Sequence, residues 1–349
     1  MTIHEKYMHR CIELAQKGAG YVAPNPMVGA VLVHEERIIG EGYHRQYGQA
    51  HAEVNCINSV EIDDQDKISQ AVLYVSLEPC AHFGKTPPCA DLIIANKIPQ
   101  VVIGSRDPFK EVAGKGIEKL KTAGIAVTSG ILEKDCQVLN KRFFTFHTKH
   151  RPYIILKWAQ TADKKIAGDK ASRIYISNEQ TNRLVHRWRS EEASILVGTN
   201  TALSDDPELT TRYWNGPSPM RLVVDMDLRL PSSLKIFNAK QRTIIFNTVK
   251  HEDNDHLSYY QVTDEVNLVH QIVNALYQMK IQSVMVEGGA RLLQSFINDN
   301  MWDEARIITN MQLAIGNGLA APELELNGTK SEFTIQSDSI KIYTKMESN

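Results

Sequence analysis

The sequence predicts an α/β protein of two domains, and three observations carry that prediction. At 349 residues the chain exceeds one typical domain and is long enough to bury two hydrophobic cores. Short apolar runs alternate with segments of helical periodicity, the pattern of a mostly parallel or mixed sheet covered on both faces. A polar, basic stretch at 147–151, followed by Pro152, interrupts the alternation, which restarts beyond it; the domains are therefore expected at 1–147 and 148–349. No internal repeat is visible, so the two halves are expected to be different folds.

The elements follow in order. Thr2 and Glu5 form a capping-box pair, and Tyr7, Cys11 and Leu14 recur at helical spacing, so the chain opens on an amphipathic helix. The turn segment 23–26 leads to an antiparallel strand pair at 28–33 and 37–41, separated by Glu35-Glu36. The pattern continues as helix 51–58, strand 71–77, helix 90–96, strand 100–104, helix 115–122 and strand 125–129. Leu132, Cys136, Leu139 and Phe143 mark one face of a single longer helix. In the second domain, strand 153–158 precedes a helix capped by Ser177 with Gln180 at the capping-box position, and strands follow at 194–197, 221–225 and 243–247. Leu268, Ile272, Ala275 and Met279 define a core-facing helix; 283–287 is a strand entering Gly288-Gly289 and another helix, and 333–346 a closing hairpin.

Composition excludes several classes. Lys and Arg number 39 against 41 Asp and Glu, with no basic run, so no nucleic-acid partner is expected. Five cysteines, an odd number with no secretory-type segment before them, argue for reduced thiols and a cytoplasmic protein. No apolar run reaches the roughly 18 residues of a bilayer span, so no membrane partner is expected either.

The chemistry concentrates in the first half. His51-Ala52-Glu53, Cys80 after the predicted strand and Cys89 at the next helix start offer one imidazole and two thiolates, a donor set suited to zinc. Three protein ligands leave a position for water, where a structural site would be closed by four. Bound zinc lowers the pKa of its water toward about 7, and Glu53, not itself a ligand, is placed to move protons. Cys11 and Cys136 lie on apolar helical faces and Cys56 lacks a second motif, so these three are expected to be structural. In the second half, Glu287-Gly288-Gly289 ends a strand and opens a helix, which suits a pyrophosphate. Gly316-Asn317-Gly318-Leu319-Ala320-Ala321 fits a dinucleotide fingerprint, but Pro322 blocks the helix it must open, and it is discarded.

Together Pro24-Asn25-Pro26-Met27-Val28-Gly29, His51-Ala52-Glu53 and the run from Leu77 through Glu78-Pro79-Cys80 to Gly84-Lys85-Thr86-Pro87-Pro88-Cys89 closely resemble the bifunctional riboflavin-biosynthesis deaminase/reductase family. The eight residues between the cysteines, where editing deaminases have two, are the specific signal. The resemblance extends over nearly the whole chain, through Lys157-Trp158-Ala159, the segment 197–207, Leu209, Arg212 and Glu287-Gly288-Gly289-Ala290. It implies a cytidine-deaminase-like α/β/α sandwich followed by a dihydrofolate-reductase-like α/β domain, and a homo-oligomer. It implies zinc-dependent deamination of 2,5-diamino-6-(5-phosphoribosylamino)pyrimidin-4-one, then NADPH-dependent reduction of the ribosyl group to ribityl. Asn25, His44, Lys85 and Asp107 are implied as contacts of this phosphorylated pyrimidine in the deaminase. Ala159, Tyr175, Thr201, Asp205 and the run Gly289, Ala290, Arg291, Leu292, Leu293, Gln294, Ser295 are implied around NADPH. Lys157, Arg173, Arg189, Leu209, Arg212 and Glu287 are implied around the reductase substrate. The chain departs from the family pattern at Phe109, Lys164, Arg173 and Tyr175. Two other readings are a nucleotide or RNA-base deaminase with a redox-inactive C-terminal binding module, and a zinc-stabilised scaffold without activity.

Overall fold

The computed structural model describes residues 1–83, 87–109, 113–168, 174–325 and 331–345. The chain divides into two compact units, Met1–His150 and Arg151–Asn349.

The first unit runs α1 (Ile3–Gln16), β1 (Gly29–His34), β2 (Arg37–Tyr43), α2 (Ala52–Asn58), β3 (Val72–Leu77), α3 (Cys89–Ala95), β4 (Gln100–Ser105), α4 (Lys115–Thr122), β5 (Ala126–Ser129), α5 (Glu133–Leu139) and α6 (Lys141–Lys149). Its sheet has the order β2-β1-β3-β4-β5, antiparallel across the first two pairings and parallel across the last two. Alternation along the strands separates two cores. Ala30, Leu32, Leu73, Val75, Val101 and Ile103 face one side, with Cys56 of α2, Ile93 of α3 and Leu120 of α4. Val31, Val33, Tyr74 and Val102 face the other, with Cys11 of α1 and Cys136 of α5. The result is a three-layer α/β/α sandwich in which those three cysteines are core residues. The helices come very close: a Cβ on Gly29 would lie 2.0 Å from the Cys11 carbonyl oxygen, and one on Gly42 would lie 2.2 Å from the Cys56 amide nitrogen.

The second unit comprises β6 (Tyr153–Thr161), β7 (Lys165–Gly168), α7 (Glu179–Ser190), β8 (Ser194–Gly198), α8 (Thr199–Asp205), β9 (Met220–Val224), β10 (Thr243–Asn247), β11 (Leu257–Gln261), α9 (Leu268–Gln278), β12 (Ser283–Val286), α10 (Ala290–Asn298), β13 (Glu304–Asn310), β14 (Gly318–Ala320), β15 (Ser331–Ile335) and β16 (Asp338–Thr344). Its main sheet has the order β11-β10-β9-β8-β12-β6-β13-β16-β15, parallel from β11 to β13 and closed by the antiparallel hairpin β15–β16. Helices α9 and α10 cover one face through Ile272, Leu276, Leu293 and Phe296. Helix α7 covers the other through Val185 and Trp188.

Three sequence expectations are corrected. The helix read across 132–143 is two helices, because Asn140 leaves helical geometry to exchange two hydrogen bonds with the backbone of Met27, at 2.8 and 2.9 Å. The cap of α7 is Asn178, not Ser177, and its side chain accepts the Thr181 N–H. Strand β13, next to the central β6, escaped the sequence reading because Glu304 and Arg306 break its apolar run. Both are buried, joined by a 2.7 Å ion pair, with the Tyr153 hydroxyl donating to Glu304.

Candidate active sites

The edge of the first sheet where β3 and β4 end is also where β1 begins and β2 ends, because β1 runs antiparallel to both neighbours β2 and β3. Four loops therefore converge there, carrying Asn25, His44, Cys80 and Asp107. His51 is the N-cap of α2, and Cys89 opens α3. One ligand atom from each of His51, Cys80 and Cys89 lies within 4.8 Å of the others. His51 Nδ1 is 3.3 Å from Cys89 Sγ and 3.7 Å from Cys80 Sγ, and the Cys89 N–H donates to Cys80 Sγ. An imidazole and two sulfurs this close fit a zinc ion and leave a fourth tetrahedral position to another ligand. The Cys89 thiol above all, then His51 and the Cys89 N–H, hold the Cys80 thiol well below its ordinary range against the effect of burial, which favours the thiolate a metal requires.

Glu53, in the first turn of α2, is 3 % exposed. Burial, reinforced by the Cys80 sulfur, raises its pKa above the ordinary carboxylate range, which suits a carboxyl group that both takes and returns a proton. His44 is buried with its Nδ1 at 3.0 Å from the Ala50 carbonyl oxygen, so Nδ1 carries the proton. Its Nε2 then accepts from the Asn25 amide at 3.1 Å, and burial keeps the ring neutral by lowering its pKa. Asp107 is buried and pushed up to about 7 by burial, with Glu78 and Cys80 adding to the effect despite the hydrogen bond from the Phe109 N–H. Lys85 lies outside the described residues.

Sequence reasoning missed Glu78 as a working residue. Its buried carboxylate accepts four backbone N–H groups, from Asp107, Gly114, Gly116 and Ile117. It thereby ties the segment carrying Cys80 to the loop carrying Asp107 and to the start of α4. Its place in the Leu-Glu-Pro-Cys run was the available signal.

In the second unit, Lys157, Arg189 and Glu287 form a largely buried cluster, their side chains 13 %, 13 % and 5 % exposed. Arg189 makes a bidentate pair with Glu287 at 2.9 and 2.6 Å, and Lys157 approaches the same carboxylate at 3.8 Å. Burial would raise the Glu287 pKa, but Arg189 and Lys157 outweigh it and hold the group at about 2. Beside this cluster Arg189, Leu209 and Arg212 line a cavity of about 270 Å³, together with Asp206, Glu208 and Lys235, which the sequence did not disclose. Arg173 lies outside the described residues.

Gly289 caps α10 at φ +78°, a conformation that favours glycine. The amides of Ala290, Arg291 and Leu292 precede the first bond of the helix, from Leu293 N–H to Gly289, and such amides suit a phosphate. Thr201 of α8 packs so near that a Cβ on Gly288 would sit 2.7 Å from its methyl group. Ala159 is half-buried on β6, and Asp205 ends α8. Other members of the expected dinucleotide set are placed differently. Leu293 is turned into the core, Gln294 is tied to Glu323 and Asn298, and the Ser295 hydroxyl bonds back to the Arg291 carbonyl. Tyr175 is exposed at the surface. The discarded segment 316–321 forms β14, paired with β7.

The first unit is thus a zinc-dependent deaminase domain, and the second an α/β domain of reductase type. Residues 1–105 match the cytidine and deoxycytidylate deaminase zinc-binding region, and 152–330 match the RibD C-terminal domain. The chain is 38% identical over 345 residues to the riboflavin biosynthesis protein RibD of Aquifex aeolicus (strain VF5), covering 97% of this chain and 95% of that one. It is 33% identical over 320 residues to RibD of Escherichia coli (strain K12), covering 86% and 85%. A crystal structure from Thermotoga maritima, described as a diaminohydroxyphosphoribosylaminopyrimidine deaminase/5-amino-6-(5-phosphoribosylamino)uracil reductase, superposes with a TM-score of 0.89 at 35% identity, covering 99% of each chain. The chain belongs to the RibD family of riboflavin biosynthesis proteins and is a bifunctional enzyme, a deaminase and a reductase in one polypeptide.

Proposed function

We propose that the first unit deaminates 2,5-diamino-6-(5-phosphoribosylamino)pyrimidin-4-one and that the second reduces the ribosyl group of the product to ribityl with NADPH. The observation that carries the reading is the convergence of His51, Cys80 and Cys89 beside the buried Glu53. Zinc bound by those three side chains supplies the Lewis acidity that makes water a nucleophile near neutral pH. Glu53 takes the proton of that water as the C–O bond forms and delivers it to the amino nitrogen as the C–N bond breaks, releasing ammonia. Asn25 and His44 orient the ring, and Asp107, held in place through Glu78, contacts the remainder of the substrate with Lys85.

In the reductase, NADPH when bound would supply hydride for the sugar's anomeric carbon in its opened, imine form, with a proton from solvent completing the amine at nitrogen. The start of α10, from Gly289 to Leu292, is suited to the pyrophosphate, with Thr201 and Asp205 toward a ribose and Ala159 and Tyr175 as further contacts. Arg189, Leu209 and Arg212 receive the sugar phosphate, with Lys157, Arg173 and Glu287 beside it. The phosphorylated pyrimidine is the proposed partner, and the enzyme is proposed to be a homo-oligomer in the cytoplasm; no described helix is long and apolar enough to cross a membrane.

A coupled assay following ammonia and NADPH tests both halves. The Glu53→Ala variant should release no ammonia, keep its zinc, and still oxidise NADPH when given deaminated substrate. Loss of zinc with the activity would count against the proton-transfer role.

A further inference from the structure

Helix α7 places His186 one turn before Arg189, on the same face. The imidazole is 4 % exposed, and its Nδ1 accepts the backbone N–H of Arg212 at 3.0 Å. Arg189 Nη1 donates to the Thr210 carbonyl in the same segment, at 3.4 Å. The Tyr213 ring packs edge-on against the imidazole at 4.7 Å, and the Arg212 guanidinium lies 5.2 Å from the Tyr213 ring centre. A Cβ on Gly216 would be 2.6 Å from that of Ser190 at the end of α7, so the segment from Leu209 to Gly216 lies close against the helix. Leu209 itself sits at φ +55°, a strained conformation for a branched side chain that only external contacts can hold.

We infer that His186 is a positioning residue of the reductase site: it hangs the segment carrying Leu209 and Arg212 on α7, and so sets Arg212 relative to Arg189 in the wall of the cavity. The inference rests on the proposed reductase reading. Only an uncharged imidazole can do this, because a nitrogen that accepts an amide N–H must be free of a proton. The surroundings enforce it. Burial above all, then the charges of Arg189 and Arg212, push the pKa down to about 4, so the acceptor persists at neutral pH. A lysine or arginine here would add a cation beside Lys157, Arg189 and Arg212 and supply no acceptor.

The test is steady-state reduction by the full-length enzyme with deaminated substrate, varying substrate and NADPH separately. His186→Ala leaves the Arg212 amide without its acceptor and should raise the substrate KM about tenfold, with kcat and the NADPH KM within about twofold of the parent. His186→Asn places an amide oxygen close to the Nδ1 position and should recover most of that loss. Ammonia release by the same preparations monitors folding of the first unit, and tryptophan fluorescence that of the second. An unchanged substrate KM in His186→Ala would overturn the inference. So would equal impairment of the alanine and asparagine variants, or both KM values rising together. A parent enzyme unable to reduce the substrate would sink the proposed function and this role with it, whereas an active parent with an unaffected alanine variant sinks only the role.

Discussion

Replacing Glu78 by Gln changes one oxygen to an NH₂ group and leaves the shape intact, so the cost can be worked from the four bonds the carboxylate accepts. Oε1 takes the N–H groups of Gly116 and Ile117 at 3.0 and 3.2 Å, and Oε2 those of Gly114 and Asp107 at 3.0 and 3.3 Å. Whichever way the amide is turned, its NH₂ faces two donors and leaves both unsatisfied in a buried site. At about 1–3 kcal/mol per stranded donor, and with the charge lost from the other two bonds, roughly 3–6 kcal/mol should disappear from the first unit. Two probes separate the units. All four tryptophans, Trp158, Trp188, Trp214 and Trp302, lie in the second, while zinc release into a chromophoric chelator reports the first. With a urea dependence of about 1–3 kcal/mol per molar, the midpoint of zinc release should fall by roughly 2 M while the tryptophan transition stays in place. A shift in zinc release below about 0.5 M would refute the reasoning, because the four bonds would then contribute almost nothing.

The other expectations concern the second unit. Gly288→Ala drives a methyl group into Thr201 and should cost about 1–3 kcal/mol of the tryptophan-monitored transition. Adding Thr201→Ala should restore that stability, and a double variant no more stable than Gly288→Ala would disprove the steric account. Glu287 has its pKa lowered from the ordinary 4.5 to about 2 in the folded state. Its contribution is therefore complete above pH 4.5 and is lost as pH falls through about 2; at about 1.4 kcal/mol per tenfold change in acidity it amounts to about 3 kcal/mol. Glu287→Gln should be destabilised at pH 7 and converge on the parent as the pH is lowered, and parallel stability curves would show that the carboxylate is not what the acid limb titrates.

Much of this architecture is legible in the chain because its chemistry is local. His51, Cys80 and Cys89 stand at element ends, where a short motif fixes both the residue type and its place. The alternation in β1, β3 and β4 sorts Ala30, Leu32, Leu73 and Val75 from Val31, Val33 and Tyr74 without any knowledge of the fold. What the sequence conceals depends on partners far along the chain. Asn140 breaks a helix for the sake of Met27, 113 positions away. Glu304 and Arg306 are tolerable in a buried strand only as a pair, and periodicity scores each of them as surface. Lys235 reaches the reductase cavity from the start of a single 3-10 turn, Lys235–Phe237, with no motif of its own. In the run 289–295 a helix turns about 100° per residue, so the Leu293 side chain goes to the core while Ala290 stands at the helix start, a division that a run of consecutive residues does not display.

The two sites also differ in how they balance charge. In the deaminase, two thiolates would neutralise a divalent ion, and Glu78 is satisfied by amides and needs no counter-ion. That site is self-contained once its metal is bound, which suits the attack of water on an uncharged ring. In the reductase, the single carboxylate of Glu287 faces both Lys157 and Arg189, two basic side chains each 13 % exposed. Burial, with Arg189 alongside, lowers the Lys157 pKa despite Glu287, so a second cation on this one carboxylate is costly. A phosphate brought by the substrate would ease that cost, whereas Arg212 and Lys235 in the neighbouring cavity wall already face Glu208 and Asp206, at 3.6 and 3.1 Å. Two basic side chains sharing one carboxylate are therefore a physical reason for the second site to favour an anionic substrate, independent of any motif in the sequence.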